Sequence, residues 1–210
     1  MDDSTDNTAE LVGRAGAGDV RALAEVLERN RQRLKRMVRI RLDTRLRGRL
    51  DPSDVIQEAY LDAARRLPEY VREPAVPFFL WLRKLTAQRL IDVHRQHLGA
   101  KMRDAGLEVS LHYGAYPQAS SLSLAAQLLE RYSSPSQAAM RAELQVRVQE
   151  ALNTMDPIDR EVLVLRHFEM LTNEEVAQVL GVKKTAASNR YIRALKRLTV
   201  LLESFPDLKP

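Results

Sequence analysis

With 210 residues, 45% of them hydrophobic, the chain is long enough for one or two compact domains and apolar enough to fill their cores, which excludes wholesale disorder. It contains no cysteine, so disulfides, thiolate metal sites and cysteine nucleophiles are excluded, and a reducing, cytoplasmic setting is expected. The formal net charge of +5 favours a polyanionic partner such as nucleic acid, whatever the fold.

Residues 1–14 are predicted to form a polar N-terminal tail. The first ten of them are acidic and polar, whereas a secretory signal would be basic and then apolar. No apolar run in the chain approaches the roughly 20 residues that a membrane span needs. We therefore expect a protein that is neither exported nor held in a membrane.

Residues 15–103 are predicted to form a compact helical domain. Apolar residues recur at helical spacing between Leu23 and Val38, and strand-like alternation is hard to find anywhere in the chain. The pair Asp51-Pro52 indicates a helix start, because the aspartate can accept hydrogen bonds from free backbone N–H groups and proline fits the first helical position. This helix is expected to end near Pro68. A proline-bounded segment, 68–77, then leads to a second helix that runs from Phe78 past Val93.

Residues 104–137 are interrupted by glycine, proline and serine and are predicted to be a linker, with a short helix possible at 122–132. A second helical domain, 138–202, follows the linker, and 203–210 form a C-terminal tail. Within this domain Asp156-Pro157 repeats the helix-start pattern, for a helix through Phe168. The predicted fold is therefore all-α, with two small helical domains joined by a flexible linker.

Basic residues are concentrated in two stretches. Between Arg29 and Arg49 there are ten arginines and lysines and one acid, and between Lys183 and Arg197 there are six basic residues and no acid. Such clusters favour contact with phosphate groups. Each cluster taken alone is also compatible with a solvated helix face that serves only solubility.

The stretch from Thr172 to Leu198 has the pattern of a helix-turn-helix. Thr172 and Glu175 have the spacing of a capping box, Gly181 marks a tight turn, and a basic helix follows. The small residues and Tyr191 of this helix are expected to face the first helix, and its polar residues to face DNA. The alternative is an ordinary helical hairpin with a solvated face. The candidate contacts to DNA are Lys183, Lys184, Thr185, Ser188, Asn189, Arg190, Ile192 and Arg193.

The run from Asp51 to Leu61, with two acids three residues apart and then Gln57-Glu58, resembles the polymerase-binding segment of sigma-70 family RNA polymerase sigma factors. Trp81-Leu82, Asp92 and Arg95 resemble the promoter-melting helix of that family. The stretch from Leu152 through 159–163 to Leu198 is similar to the family's domain for the upstream promoter element. The two blocks, 15–103 and 141–202, lack a third domain between them, as in the small extracytoplasmic-function (ECF) group.

The resemblance implies a promoter-recognition subunit, not an enzyme, that needs no cofactor or metal. The first domain would dock on core RNA polymerase and capture a melted strand of the −10 element, partly through loop 70–77. The second domain would bind the −35 element as duplex. We expect a monomer when free, and the resemblance implies an anti-sigma factor as a further partner, although no residue identifies one. The candidate residues for polymerase binding are Asp51, Asp54, Gln57, Glu58 and Leu61, and those for the −10 element are Gln88, Arg89, Asp92, His94 and Arg95.

Two departures from the family pattern leave the base preference open. Gln88 stands where asparagine is more usual, and Lys183 stands where a residue such as serine commonly caps the recognition helix. Two other functions fit parts of the sequence. A helix-turn-helix regulator of the response-regulator or quorum-activator type would need a receiver or ligand domain, whose strands are missing from the N-terminal half. A nuclease that holds a metal through Asp51, Asp54 and Glu58 is disfavoured, because these acids lie in an amphipathic helix without histidine partners.

Overall fold

A computed structural model of the chain describes residues 3–98, 119, 121–132 and 138–203. The regular structure in these ranges is helical, apart from one isolated bridge between Arg47 and Leu50, so the predicted fold class is confirmed. The described residues divide into two compact units, one made of 3–39 and 46–98, the other of 40–45, 119, 121–132 and 138–203. None of the helices in these ranges is both long and apolar enough to cross a membrane.

The first helix, α1 (Asp3–Gly16), forms where the sequence predicts a polar tail. Leu11, Val12 and Ala15 are buried, because their spacing of one and three residues puts them on one helix face. Gly16 lies so close to the later helix that a Cβ added there would be 2.8 Å from Cγ2 of Val71. The polar first ten residues conceal this short apolar stripe, which packs α1 into the first unit.

Three longer helices complete the first unit: α2 (Val20–Arg41), of which the last two residues belong to the second unit, α3 (Pro52–Arg72) and α4 (Phe78–Leu98). The helix α3 begins where predicted, after Asp51, but continues through Pro68 to Arg72. It continues because Leu67 and Tyr70 extend its buried stripe, while Pro68 lies on the exposed side. The core of this unit includes Val26, Leu34, Met37, Val55, Ile56, Ala59, Ala63, Leu82 and Leu90.

The second unit begins earlier than the predicted domain. The helix α5 (Ser121–Tyr132), foreseen as a short helix of the linker, buries Leu124 and Leu129 in the same core as α6 (Ala138–Asn153). A helix with four buried apolar positions in twelve residues is part of a domain core and not a flexible connection. The other predicted linker residues (104–118, 120 and 133–137) and most of the predicted tail (204–210) lie outside the described residues.

The rest of the second unit consists of α7 (Pro157–Leu163), a π-helical turn at Val164–Phe168, α8 (Asn173–Leu180) and α9 (Lys184–Glu203). Gly181 has a φ of 63°, the left-handed cap that ends α8 and starts the turn to α9. Met170, between the π turn and α8, has a φ of 60° although it carries a Cβ. These two positions set the directions in which α8 and α9 leave their turns.

Candidate protein and nucleic-acid interfaces

The predicted polymerase-binding residues lie on one side of α3. Asp54, Gln57, Glu58 and Leu61 are all exposed, and the Leu61 side chain is an apolar group with 59% of its surface accessible. Their spacing of three and four residues puts them on a single helix face. The result is a strip of acidic and apolar groups that a partner helix could contact.

Asp51 and Asp54 also start α3. The Oδ1 atom of Asp51 accepts from the backbone N–H of Ser53 at 2.7 Å, and the backbone N–H of Asp51 donates to Oδ2 of Asp54 at 3.4 Å. The bond from Ser53 lowers the pKa of Asp51. Asp51 and Asp54 therefore fix the first turn of α3, whereas Gln57, Glu58 and Leu61 take no part in this cap. No group of three or more His, Cys, Asp or Glu in the described part of the chain is arranged to hold a metal ion.

An aromatic pocket joins the end of α3 to the start of α4. The rings of Tyr70 and Trp81 stack with centroids 4.6 Å apart, and Phe78 meets Tyr70 edge-on at 5.8 Å. The Tyr70 hydroxyl donates to the carbonyl of Val76 at 2.9 Å, which ties the loop 73–77 to the helix. The cavity of about 570 Å³ is lined by Tyr70, Trp81, Val76, Ala75, Arg66, Arg72, Glu69 and Glu73. Aromatic rings beside arginines can stack an unpaired base and hold its phosphate.

The predicted −10 contacts on α4 divide into three groups. Gln88 and Arg95 are exposed and Asp92 is half-buried, and the amide of Gln88 donates to Oδ1 of Asp92 at 3.3 Å. Arg89 is engaged by α3, since its Nε donates to Oδ2 of Asp62 at 2.6 Å and lowers the pKa of that carboxyl. His94 is only 8% exposed.

His94 is buried, unlike the other predicted −10 contacts on α4. It follows Ala87, Leu90 and Ile91 at seven, four and three residues, and all of these are buried. The helix α4 is apolar over a wide arc, so this position faces the core. Of the predicted −10 contacts, Gln88, Asp92 and Arg95 form an accessible strip on α4. This strip follows the residues of the aromatic pocket in the sequence.

The exposed face of α9 contains most of the predicted −35 contacts. Ala187 and Ala194 are fully buried, as the helix-turn-helix pattern predicts, and Tyr191 is half-buried. On the opposite face, Ile192 is 52% exposed. Ser188 and Arg190 are half-buried, and the exposed members are Lys183, Lys184, Thr185, Asn189, Ile192 and Arg193.

Contacts from α8 fix the start of α9. The capping box of α8 forms as predicted, with Glu175 N–H donating to the Thr172 hydroxyl at 3.2 Å. Asn173, which sequence reasoning missed, donates from its amide to the Ser188 hydroxyl. Lys184 Nζ lies 3.1 Å from Oε2 of Glu174. The N-terminal turn of α9 is therefore held to α8 by side chains, although Lys183 offers no acceptor for capping.

Asp159 is a second residue that sequence reasoning missed. Its residue surface is 1% exposed, and its carboxylate accepts hydrogen bonds from Arg193 Nε and Nη2, both at 2.7 Å, and from Arg190 Nη1 at 3.2 Å. The bond from Arg193 is the main cause that lowers the pKa of Asp159. The sequence does contain a signal, since Asp159 precedes the buried Val162 and Leu163 at helical spacing.

Comparison with known proteins shows that the chain is similar to members of one family. The model of the family "Sigma-70, region 4" matches residues 145–198. The chain is 36% identical to the ECF RNA polymerase sigma factor SigD of Mycobacterium tuberculosis, over 90% of this chain and 80% of the relative. It is 31% identical to the ECF RNA polymerase sigma factor ShbA of Streptomyces griseus, over 96% and 98% of the two chains.

The fold is also similar to that of a solved protein. The match is to the structure of CnrH in complex with the cytosolic domain of CnrY, with a TM-score of 0.56 and 24% identity. It covers 95% of this chain and 99% of the solved chain. In sequence, the chain is 28% identical to the RNA polymerase sigma factor CnrH of Cupriavidus metallidurans, over 92% and 93% of the two chains.

Proposed function

The chain belongs to the ECF sigma factors of the sigma-70 family, which act in transcription initiation, and on this premise we propose how its surfaces divide that work. The observation that carries the proposal is the similarity to sigma factors over 90% or more of the chain, which spans all the surfaces described above. The predicted domain 15–103, most of which lies in the first unit, binds core RNA polymerase and the −10 element. The predicted domain 138–202, which lies in the second unit, binds the −35 element. The protein acts in the cytoplasm as a DNA-binding subunit, without catalytic activity of its own.

The strip on α3 is the proposed polymerase-binding surface. An exposed leucine beside carboxylates suits a partner that offers an apolar groove rimmed by basic groups. Gln57 also lines a groove of about 300 Å³ between α2 and α3, together with Leu27, Ile56 and Tyr60. A partner helix laid on the strip could fill this groove with a side chain.

The polymerase contact is tested by measuring binding of purified core polymerase to fluorescently labelled protein. Leu61→Asp should weaken binding at least tenfold, because a truncated anchor at the centre of an interface costs on the order of 2 kcal/mol or more. Val20→Asp is the matched control, since Val20 is also an exposed apolar residue of the first unit, at 76%, and receives the same charge. Equal binding by both variants would contradict the proposal.

The aromatic pocket and the accessible strip of α4 are proposed to capture the melted −10 strand. Bases that leave the stack can be held between an aromatic face and arginines, and polar groups such as Gln88 and Asp92 can then contact their edges. The test is permanganate reactivity of unpaired thymines in promoter complexes. The double variant Gln88→Ala, Asp92→Ala should reduce this reactivity while leaving core binding unchanged. Glu69 lies on the rim of the pocket, so Glu69→Ala tests whether the pocket takes part in capturing the strand.

The exposed face of α9 is proposed to read the −35 duplex. Thr185 and Asn189 lie on the first turns of a helix whose N-terminus would enter the major groove, where short polar side chains reach base edges. Lys184 and Arg193 are suited to phosphates. Asn189→Ala should alter sequence preference at the −35 element. Lys196 is an exposed lysine farther along α9, suited to a phosphate, so Lys196→Ala should weaken binding to all sequences about equally. The regulator alternative is not favoured, because the relatives that cover most of the chain are sigma factors.

A further inference from the structure

A buried carboxylate lies directly behind the DNA-facing surface of the second unit. Asp159 belongs to α7, is 1% exposed, and faces α9, from which Arg190 and Arg193 reach it. The pair with Arg193 is bidentate, with Nε donating to Oδ2 and Nη2 donating to Oδ1. Such a fork fixes the plane of a guanidinium as well as its distance.

Both arginines keep N–H donors that the bonds to Asp159 do not use. A guanidinium has five N–H groups, and the bonds to Asp159 use Nε and Nη2 of Arg193 and only Nη1 of Arg190. The Arg193 side chain is 54% exposed and that of Arg190 is 29% exposed, so the remaining donors can reach a partner. Each arginine can therefore hold a phosphate while it stays bound to the carboxylate.

We propose that Asp159 is a positioning residue for promoter recognition, whose carboxylate fixes Arg190 and Arg193 in the orientation that meets the DNA backbone at the −35 element. This inference rests on the proposed role of α9. A long arginine side chain that is already ordered loses less entropy when it binds a phosphate than a free one does. Fixed phosphate contacts also set the register of the helix in the groove, and so they sharpen base selection by its neighbours.

The sign of the effect separates positioning from charge alone. Asp159 reduces the formal charge of the three groups from +2 to +1, because it adds one negative charge to two arginines. If only charge mattered, its removal would tighten binding to every DNA sequence. If it positions the arginines, its removal weakens binding to the preferred −35 sequence in spite of the added positive charge.

The variant Asp159→Asn tests this in holoenzyme assembled from core polymerase and the full-length protein. Asp156→Asn is the matched control: it makes the same change of charge 4.0 Å from Arg190, and asparagine caps a helix as well as aspartate does. Affinity is measured on two promoters that share a −10 element, one with the preferred −35 element and one with a scrambled −35 element. The preferred sequence comes from transcripts made by the wild-type holoenzyme.

For Asp159→Asn we expect about tenfold weaker binding to the promoter with the preferred −35 element and little change on the scrambled one, so discrimination falls. Core binding should stay unchanged, and Asp156→Asn should discriminate as the wild type does. Tighter binding to both promoters, or an equal loss on both, would overturn the positioning role while the sigma function stands. A wild-type holoenzyme without any promoter-specific transcript would instead overturn the proposed function, and the positioning role with it.

A measurement on the wild-type chain covers the case in which Asp159→Asn does not fold. The Nε–Hε proton of Arg193, assigned by its loss in Arg193→Lys, should exchange slowly with water in NMR spectra of the full-length protein. It should stay protected when a duplex with the preferred −35 sequence is added. Exchange as fast as that of a free arginine, with or without the duplex, would overturn the proposal.

Discussion

Met170 is strained in a way that a single substitution should relieve. Its φ of 60° lies in the left-handed region, which costs a residue with a Cβ about 1–2 kcal/mol. Glycine avoids this cost but loses about 0.5–1 kcal/mol through the greater freedom of the unfolded chain. The Met170 side chain is 60% exposed, so its removal costs little burial. Met170→Gly should therefore stabilise the second unit by roughly 0.5–1 kcal/mol.

Thermal unfolding followed by circular dichroism measures this gain. A stabilisation of this size should raise Tm by about 2–8 °C, since 1 kcal/mol corresponds to roughly 4–8 °C in a small domain. Met170→Ala is the control, because alanine loses the same exposed side chain but keeps the Cβ and with it the strain. If Met170→Gly unfolded at or below the wild-type temperature, or if Met170→Ala gained as much, backbone strain at Met170 would be excluded as a cost to stability.

Three further predictions concern packing and charge. Gly16→Ala should lower the unfolding free energy by about 1 kcal/mol, because a new Cβ would meet Val71 at 2.8 Å, and Val71→Ala should reverse part of the loss in a double-mutant cycle. Asp62→Asn should lower it by about 1 kcal/mol through the lost bond to the partly exposed Arg89, and an unchanged Tm would contradict this contact. The third prediction concerns pH. The pKa of Asp159 in the folded protein lies below its unfolded value of about 3.9. The stability that this carboxylate contributes is therefore present above the unfolded pKa and is lost as the pH falls through the folded pKa. The free energy of unfolding, measured in urea, should therefore change less between pH 6 and pH 3 for Asp159→Asn than for the wild type. Equal changes would exclude a pH-dependent contribution of Asp159 to stability.

Local signals in the sequence predicted much of the fold. The Asp51-Pro52 start, the capping box at Thr172 and Glu175, and the turn at Gly181 each fix backbone hydrogen bonds over a few residues, and all of them form in the structure. Such short patterns do not depend on distant contacts, so the fold class and the family could be predicted from them. The residues assigned to each interface remain proposals.

The features that the sequence did not reveal depend on tertiary packing. The polar residues at the start of α1 made the apolar stripe of Leu11, Val12 and Ala15 hard to recognise. A stripe this short does not indicate a buried helix by itself, because its burial depends on packing against α3. His94 was assigned to the −10 contacts by its place in the promoter-melting segment, and its burial depends on which arc of α4 packs against the rest of the first unit. The partners of Asp159 are arginines 31 and 34 residues farther along the chain, and no local sequence pattern predicts these contacts.

Sigma activity can be measured by multi-round transcription from a pool of genomic promoters, with purified core RNA polymerase and the wild-type, Leu61→Asp or Val20→Asp protein. We expect the wild type and Val20→Asp to produce new transcripts whose promoters share two spaced elements, and Leu61→Asp to lose them. If no variant produced transcripts or bound core polymerase, while the wild-type protein bound duplex DNA by itself, the assignment of these surfaces to transcription initiation would be contradicted.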